Sequence, residues 1–205
     1  MTVNDRSFAC DLTPALVEIA PQLELFEALL QKWQAKVNLI GKSTSGNIWS
    51  RHFADSAQLA NHAALDKRWV DLGSGAGFPG VVIALLQRAH GSGEMHLIES
   101  DSRKAAFLRE VSRETDARAI VHNARCEDAL SNIDPEIICS RAMTGMPSLI
   151  GYARPFVEKS AIALFLKGRD VASELTRTPI PSNFSVDIAS SLVDPKGAVV
   201  KVKLT

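Results

Sequence analysis

The segment Val70-Asp71-Leu72-Gly73-Ser74-Gly75-Ala76-Gly77-Phe78-Pro79-Gly80 constrains the fold more than any other part of this 205-residue chain. It follows the apolar run WVDLG and leads into residues 79–88, whose pattern predicts a helix. A glycine cluster between a strand and a helix has a physical use. Glycine permits turns and close approaches that a side chain forbids, and the following helix start presents free N–H groups to a ligand. The dinucleotide fingerprint Gly-x-Gly-x-x-Gly needs its third glycine at position 78, which is Phe78. The loop is instead Gly-x-Gly-x-Gly, with Asp71 two residues ahead.

Around that loop the pattern is repetitive in kind. WVDLG, MHLIES, AIVH, EIICS and AIALFLK read as short strands, with helix-like stretches at residues 79–88, 102–115 and 145–152. Such alternation predicts a parallel sheet with helices on both faces. FSVDIASSL and AVVKVKL, close together around Asp194-Pro195-Lys196-Gly197, predict a C-terminal antiparallel hairpin joined by a short turn. At the other end, Thr13-Pro14 and Pro21 read as helix starts. Phe26, Leu29, Leu30, Trp33 and Val37 form one apolar stripe, and a further helix is expected from Ser45, with Ile48, Trp49, His52, Phe53 and Leu59 inward. The expected architecture is α/β, with a helical cap over residues 1–66 and a ligand-binding core over 67–205, one compact domain overall.

Composition narrows the class. Hydrophobic residues make up 46% and charged residues 22%, which suits a globular chain, and the apolar runs are too interrupted to span a membrane. The first residues lack a basic start and an apolar run, so a cytoplasmic location is expected. Cys10, Cys126 and Cys139 form no CxxC pair and have no histidine at ligand spacing, so neither a disulfide framework nor a metal site is expected. The net charge is +0, but residues 70–140 carry 7 Lys/Arg against 11 Asp/Glu and residues 141–205 carry 9 against 5. That asymmetry fits a basic face formed by particular loops, and equally an uneven solvated surface.

Glu99 closes the second strand, 22 residues beyond Gly77. An acid at that distance can accept both ribose hydroxyls of an adenosine cofactor. Asn123-Ala124-Arg125-Cys126-Glu127-Asp128 follows the third strand, and its acids also suit the first turn of a helix. Asp71, Gly73, Gly75, Gly77 and Glu99 are therefore cofactor candidates. Arg141 and Lys167 each stand at the C-terminal end of a predicted strand, where open α/β sheets bind ligands, which makes them candidates for catalysis. Lys32, Lys36, Arg51, His52, Arg125 and Arg169 add possible phosphate contacts, though a solvated charge, or for His52 a packed structural ring, is the plainer reading of each.

The loop with its leading acid resembles motif I of the class I, Rossmann-like methyltransferases. Further motifs extend the likeness: Trp33-x4-Asn38-Leu39, Arg51-His52-Phe53-Ala54-Asp55-Ser56, Glu99-Ser100-x2-Arg103-Lys104-x2-Phe107-Leu108, Ser140-Arg141-Ala142 and Leu166-Lys167-Gly168. From the first helix to about Gly168 the chain resembles the bacterial 16S ribosomal RNA guanine-N7 methyltransferases. The resemblance implies S-adenosylmethionine as cofactor, with Gly73, Phe78, Cys126, Glu127 and Arg141 at contact positions. It implies 16S rRNA or a small-subunit precursor as substrate, engaged by Arg51, His52, Arg125 and Lys167, and a monomeric enzyme without metal. Cys126 departs from the alanine or valine of many relatives, and Asn38-Leu39-Ile40 departs from Asn-Leu-Thr.

The chemistry is coherent with that expectation. Guanine N7 carries an in-plane lone pair and no proton, so alignment matters more than a general base and can contribute on the order of 7–11 kcal/mol. N7 of a duplex lies in a groove that side chains cannot read, so a splayed base is implied. The sequence has no Asn-Pro-Pro-Tyr motif and no cysteine pair suited to attack on a pyrimidine. A methyltransferase of small molecules or proteins stays open, as does a non-catalytic cofactor-binding regulator. A nicotinamide dehydrogenase is opposed by Phe78 and by the lack of a Tyr-Lys pair around Tyr152.

Overall fold

In the computed structural model, which describes residues 4–41 and 44–205, the inward stripe of the first long helix is what joins the N-terminal region to the sheet. Helix α1 (Asp5–Leu12) is capped by Asn4, whose side chain accepts from the Arg6 N–H at 3.1 Å. A 3₁₀ turn at Pro14–Val17 leads to α2 (Ala20–Gln34), with Pro21 in its first turn. Leu23, Phe26 and Leu30 of α2 are fully buried. The expected second helix begins at Ile48 rather than Ser45, because Ser45 and Gly46 form a turn. It is π-wound over Trp49–Ala54, α over α3 (Asp55–Ala57) and 3₁₀ over Gln58–Asn61. The Asp5 carboxylate anchors its start, accepting from the Trp49 N–H at 2.9 Å and from the Ser50 hydroxyl.

Seven strands follow: β1 (Arg68–Leu72), β2 (Glu94–Ile98), β3 (Ile120–His122), β4 (Ile137–Arg141), β5 (Ile162–Lys167), β6 (Phe184–Ser190) and β7 (Ala198–Leu204). Their order is β3-β2-β1-β4-β5-β7-β6; β1 to β5 are parallel and β7 runs antiparallel to both β5 and β6. Helices α4 (Gly80–His90), α5 (Ser102–Glu114), α6 (Cys126–Leu130), α7 (Met146–Val157) and α8 (Val171–Thr176) fill the connections. The helix expected at 145–152 continues through Pro155 to Val157. The hairpin exists, but β6 ends at Ser190. The expected turn, with Gly197 N–H on the Asp194 carbonyl at 2.8 Å, is nested inside a longer loop closed by Ser191 N–H on the Gly197 carbonyl at 3.0 Å.

Side chains alternate across the sheet as the pleat requires. Ile137, Cys139, Leu164 and Val199 face a core shared with α2, the π-wound segment and α4, while Ile138, Phe165 and Val200 face a second core under α6 and α7. The first core crosses the boundary at residues 66–67 without a break. Strand order reverses between β1 and β4, which puts the crevice of this sheet at the C-terminal ends of those two strands.

Candidate functional site

The three loop glycines do different work. All have left-handed backbones, with φ of +65° at Gly73, +55° at Gly75 and +89° at Gly77. A Cβ on Gly73 would lie 2.7 Å from Met143 Cγ, so the loop after β1 is pressed against the loop after β4. A Cβ on Gly77 would lie 2.8 Å from Val81 Cγ2, so Gly77 packs inward. At Gly75 the nearest atom is the Gly73 carbonyl oxygen at 3.7 Å, and the added carbon would point into open space.

That space is a cavity of about 440 Å³, within the range of small-ligand sites. Its lining includes Gly73, Gly75 and Phe78 of the loop, Glu99, and Cys126, Glu127, Tyr152 and Arg141. Asp71 and Gly77 stand behind the cavity and do not line it. Asp71 is fully buried; its Oδ2 accepts from the Gly80 N–H at 3.0 Å, fixing the end of the loop. Burial pushes its carboxyl up to about 7, against the lowering effect of that N–H, the Ser74 hydroxyl and Arg141. Glu99 braces the loop directly: Oε2 accepts from Gly75 N–H at 2.9 Å and Oε1 from Asp101 N–H at 2.7 Å. The Tyr152 hydroxyl donates to Glu127 Oε1 at 2.6 Å, which lowers the Glu127 carboxyl and raises the phenol. Burial raises the Cys126 thiol to about 11, so it is not a thiolate at neutral pH.

A second cavity of about 500 Å³ adjoins the first, and Leu39, Arg141 and Ala142 line both. Arg141 is the shared wall. Its Nη2 donates to His52 Nδ1 at 2.7 Å and its Nη1 to the Arg51 carbonyl at 3.1 Å, with Asp55 Oδ2 at 3.5 Å. The guanidinium carbon lies 4.9 Å from the centre of the Phe78 ring, and Phe78 is itself stacked between Phe26 and His52, at 5.1 and 4.8 Å. The carboxylate partner of Arg141 is Asp55, from the cap, and not the nearby Glu127-Asp128 turn. Because His52 Nδ1 accepts from a cation, its proton sits on Nε2, 3.0 Å from the Thr44 hydroxyl. Burial, then Arg141 and Arg51, lower the imidazole to about 3, so the ring is neutral at physiological pH. Burial raises Asp55, against Arg141, Arg51 and Ser191.

Other cations of the second cavity are also held. Lys167 Nζ lies 2.7 Å from Glu174 Oε2 and donates to the Thr144 carbonyl at 3.3 Å. Arg51 pairs with Asp194 at 3.0 Å. Arg169 stands on the same rim. Arg125 is exposed on the rim of the first cavity, while Lys32 pairs with Glu110, away from both. The structure thus gathers Gly73, Gly75, Phe78, Glu99, Cys126, Glu127 and Arg141 round one cavity, and Arg51, His52, Arg141 and Lys167 round its neighbour. Sequence reasoning missed Asp55, Asp194 and Glu174, the carboxylates that hold these cations. Asp55 lies within the quoted Arg-His-Phe-Ala-Asp-Ser motif; the other two carry no local signal. Among the described residues no group of three or more His, Cys, Asp and Glu side chains is placed to hold a metal, and no helix is long and apolar enough to cross a membrane.

Comparison with known proteins agrees with this geometry. The sequence model of a family described as rRNA small subunit methyltransferase G matches residues 19–199. A protein of that name from Parvibaculum lavamentivorans is 41% identical over 98% of this chain and 89% of its own length. Another, from Bradyrhizobium sp., is 42% identical over 97% of this chain and 90% of its own. Among solved structures, a methyltransferase from Geobacter sulfurreducens superposes with a TM-score of 0.61 at 15% identity, covering 90% of this chain and 89% of that one. A precorrin-6y C5,15-methyltransferase from Geobacter metallireducens gives 0.56 at 13% identity, covering 74% and 87%. The fold is the class I methyltransferase fold, mostly parallel with the antiparallel C-terminal hairpin.

Proposed function

The chain belongs to the rRNA small subunit methyltransferase G family, and on that premise we propose that it uses S-adenosylmethionine to methylate N7 of a guanosine in 16S rRNA, working as a monomer in the cytoplasm. The observation that carries this reading is the pair of adjoining cavities with Arg141 as their common wall. The first fits an adenosine cofactor: a glycine backbone with open space above Gly75, an acid at the next strand end, and a second acid beside Tyr152. Bound there, the cofactor supplies a methyl group already activated by its sulfonium.

The protein's own residues then have an orienting task. Glu99, each oxygen of which holds one backbone N–H and keeps a second lone pair, would receive the ribose hydroxyls. Asp71 and Gly77 keep the loop in shape behind it, and the backbone at Cys126 and Glu127 would border the adenine. Arg141 donates toward the guanine O6, which neighbours N7 and so turns N7 toward the first cavity. A guanidinium suits this role because its fork is rigid and permanently charged. His52, neutral and fixed in one tautomer, serves the RNA side through Arg141 rather than as a phosphate cation. Lys167, Arg51 and Arg125 meet the ribose-phosphate backbone of a base drawn out of its stack. No group is required to take a proton.

Labelled methyl transfer to isolated rRNA, small ribosomal particles and total protein, run in parallel, tests the reading. Label is expected in rRNA, at a guanosine where borohydride reduction followed by aniline cleaves the chain, as it does at N7-alkylated guanosine. Label confined to protein or to small molecules overturns it.

A further inference from the structure

We propose that Glu174 reads the Watson–Crick edge of the target guanine, its free Oε1 accepting a hydrogen from the exocyclic 2-amino group. The inference rests on the methylation reading above and adds to it how guanine is told from other purines. Once N7 and O6 face Arg141 and the first cavity, the opposite edge of the base presents donors, N1–H and the 2-amino group. Its complement is an acceptor on the wall of the second cavity.

The carboxylates of that cavity differ in what remains free. Asp55 is used on both oxygens, by Gln58 and Ser191 on Oδ1 and by Arg141 on Oδ2. Asp194 is used on both as well, by the Lys196 N–H and by Arg51. Glu174 spends one oxygen only: Oε2 takes both Lys167 Nζ at 2.7 Å and the Met146 N–H at 2.9 Å. Those two donors, one from β5 and one from the start of α7, fix the carboxylate while leaving Oε1 without a partner among the described residues. The side chain is 31% exposed and lines the cavity, so this oxygen is presented rather than entombed. Asp170, one turn earlier on the same rim, has no side-chain hydrogen bond at the helix start and so lacks a comparable brace. Lys167 also keeps Glu174 on the charged side: its contact helps to lower the carboxyl despite burial.

Glu174→Gln isolates the claim. The amide oxygen replaces Oε2 and keeps the bonds from Lys167 and Met146, while its NH₂ group replaces the free Oε1 and opposes a donor with a donor. The experiment compares single-turnover methylation of 16S rRNA carrying guanosine or inosine at the target position, inosine lacking only the 2-amino group. The wild type is expected to prefer guanosine on the order of 10- to 100-fold, the range for a hydrogen bond to a charged acceptor. In Glu174→Gln that preference is expected to collapse to near unity with cofactor affinity close to wild type, while loss of the charge beside Lys167 lowers the melting temperature. Glu174→Ala, as a second variant, removes the acceptor without adding a donor and is expected to show the same loss of discrimination. An unchanged guanosine-to-inosine ratio in these variants, even with both rates lowered together, overturns the role of Glu174 and leaves it as a brace for Lys167. A wild type that methylates neither RNA overturns the underlying reading instead.

Discussion

The two cavities meet at Arg141 but are built by opposite means. The first is a backbone construction: left-handed glycines, strand ends and N–H groups, with one acid clasping the loop. The second is a framework of side-chain charges drawn from the π-wound segment, β4, β5, α8 and the β6–β7 loop, where the cations each have a carboxylate close by. A backbone site is specified locally and resists single charge changes. A charge framework is specified only by the fold, and each member removed leaves its partner stranded. The difference predicts that the same kind of substitution will have different consequences on the two sides.

The sharpest test is Asp55→Ala, which leaves the Arg141 guanidinium buried without its carboxylate. Loss of one partner of a buried pair costs roughly 3–5 kcal/mol. Denaturant unfolding should show a drop of that order, and rRNA methylation should fall steeply while the folded protein keeps its cofactor affinity within about tenfold, or about 1.4 kcal/mol. A variant as stable as the wild type would break the comparison, since the second cavity would then not be held by its charges. On the first side, Glu99→Ala should weaken S-adenosylmethionine by roughly 1.5–3 kcal/mol, the worth of hydrogen bonds to a charged group. Calorimetric titration measures this directly, and the apo protein's rRNA affinity should not move.

A pH experiment addresses the neutral ring between the two. His52 is lowered from its ordinary 6.5 to about 3, so below pH 6.5 the unfolded chain takes up a proton that the folded chain refuses. Stability contributed by the neutral ring is therefore present above pH 6.5 and lost as pH falls, by about 2 kcal/mol between pH 7 and pH 5. Asp71, raised from 3.8 to about 7, acts in the opposite sense over much of the same window, so the wild-type curve alone shows only their difference. The comparison that isolates His52 is with His52→Gln, whose carbonyl still accepts from Arg141. Its pH slope should be less steeply acid-sensitive by that amount, and parallel curves would refute a neutral buried ring. The smallest effect is expected at Arg51. Its pair with Asp194 is exposed, so Arg51→Ala should change stability by less than about 1 kcal/mol. A clear fall in rRNA binding, steepest at low salt, is what would distinguish a phosphate contact from a surface ornament.

The same contrast explains what could be read from the sequence. Gly73, Gly75, Phe78 and Glu99 sit at fixed offsets from β-strands, and a strand, a turn and a helix start are local events, so the first cavity was legible. The inward residues Ile48, Trp49, His52, Phe53 and Leu59 were legible too, although the π winding that displaces them from ordinary helical spacing was not. Helices α6 and α8 are five and six residues long and carry too little periodicity to be seen. Helix α1 buries only Ala9, which gives no stripe. Asp194 reaches Arg51 only because β7 inserts beside β5 and the β6–β7 loop folds back over the cap, whereas Glu174 meets Lys167 across the short β5–α8 connection, on a helix too brief to be seen. The first juxtaposition depends on strand order, and strand order between distant segments has no local signature.

The grip of Arg141 on the cap bears on how a large RNA gains entry. The guanidinium takes the Arg51 backbone carbonyl and the His52 ring as acceptors, while Leu192 N–H reaches Gln58 Oε1 at 2.9 Å from the opposite side. The N-terminal helices are thereby bolted to β4 and to the hairpin loop, beyond their shared apolar core. A swinging lid needs a seam of weak contacts along which to part, and among the described residues no such seam runs between the cap and the sheet. Cap and sheet should exchange their amide hydrogens as one unit. The RNA must accordingly present its base to an aperture of fixed shape, so that the deformation needed for transfer falls on the nucleic acid.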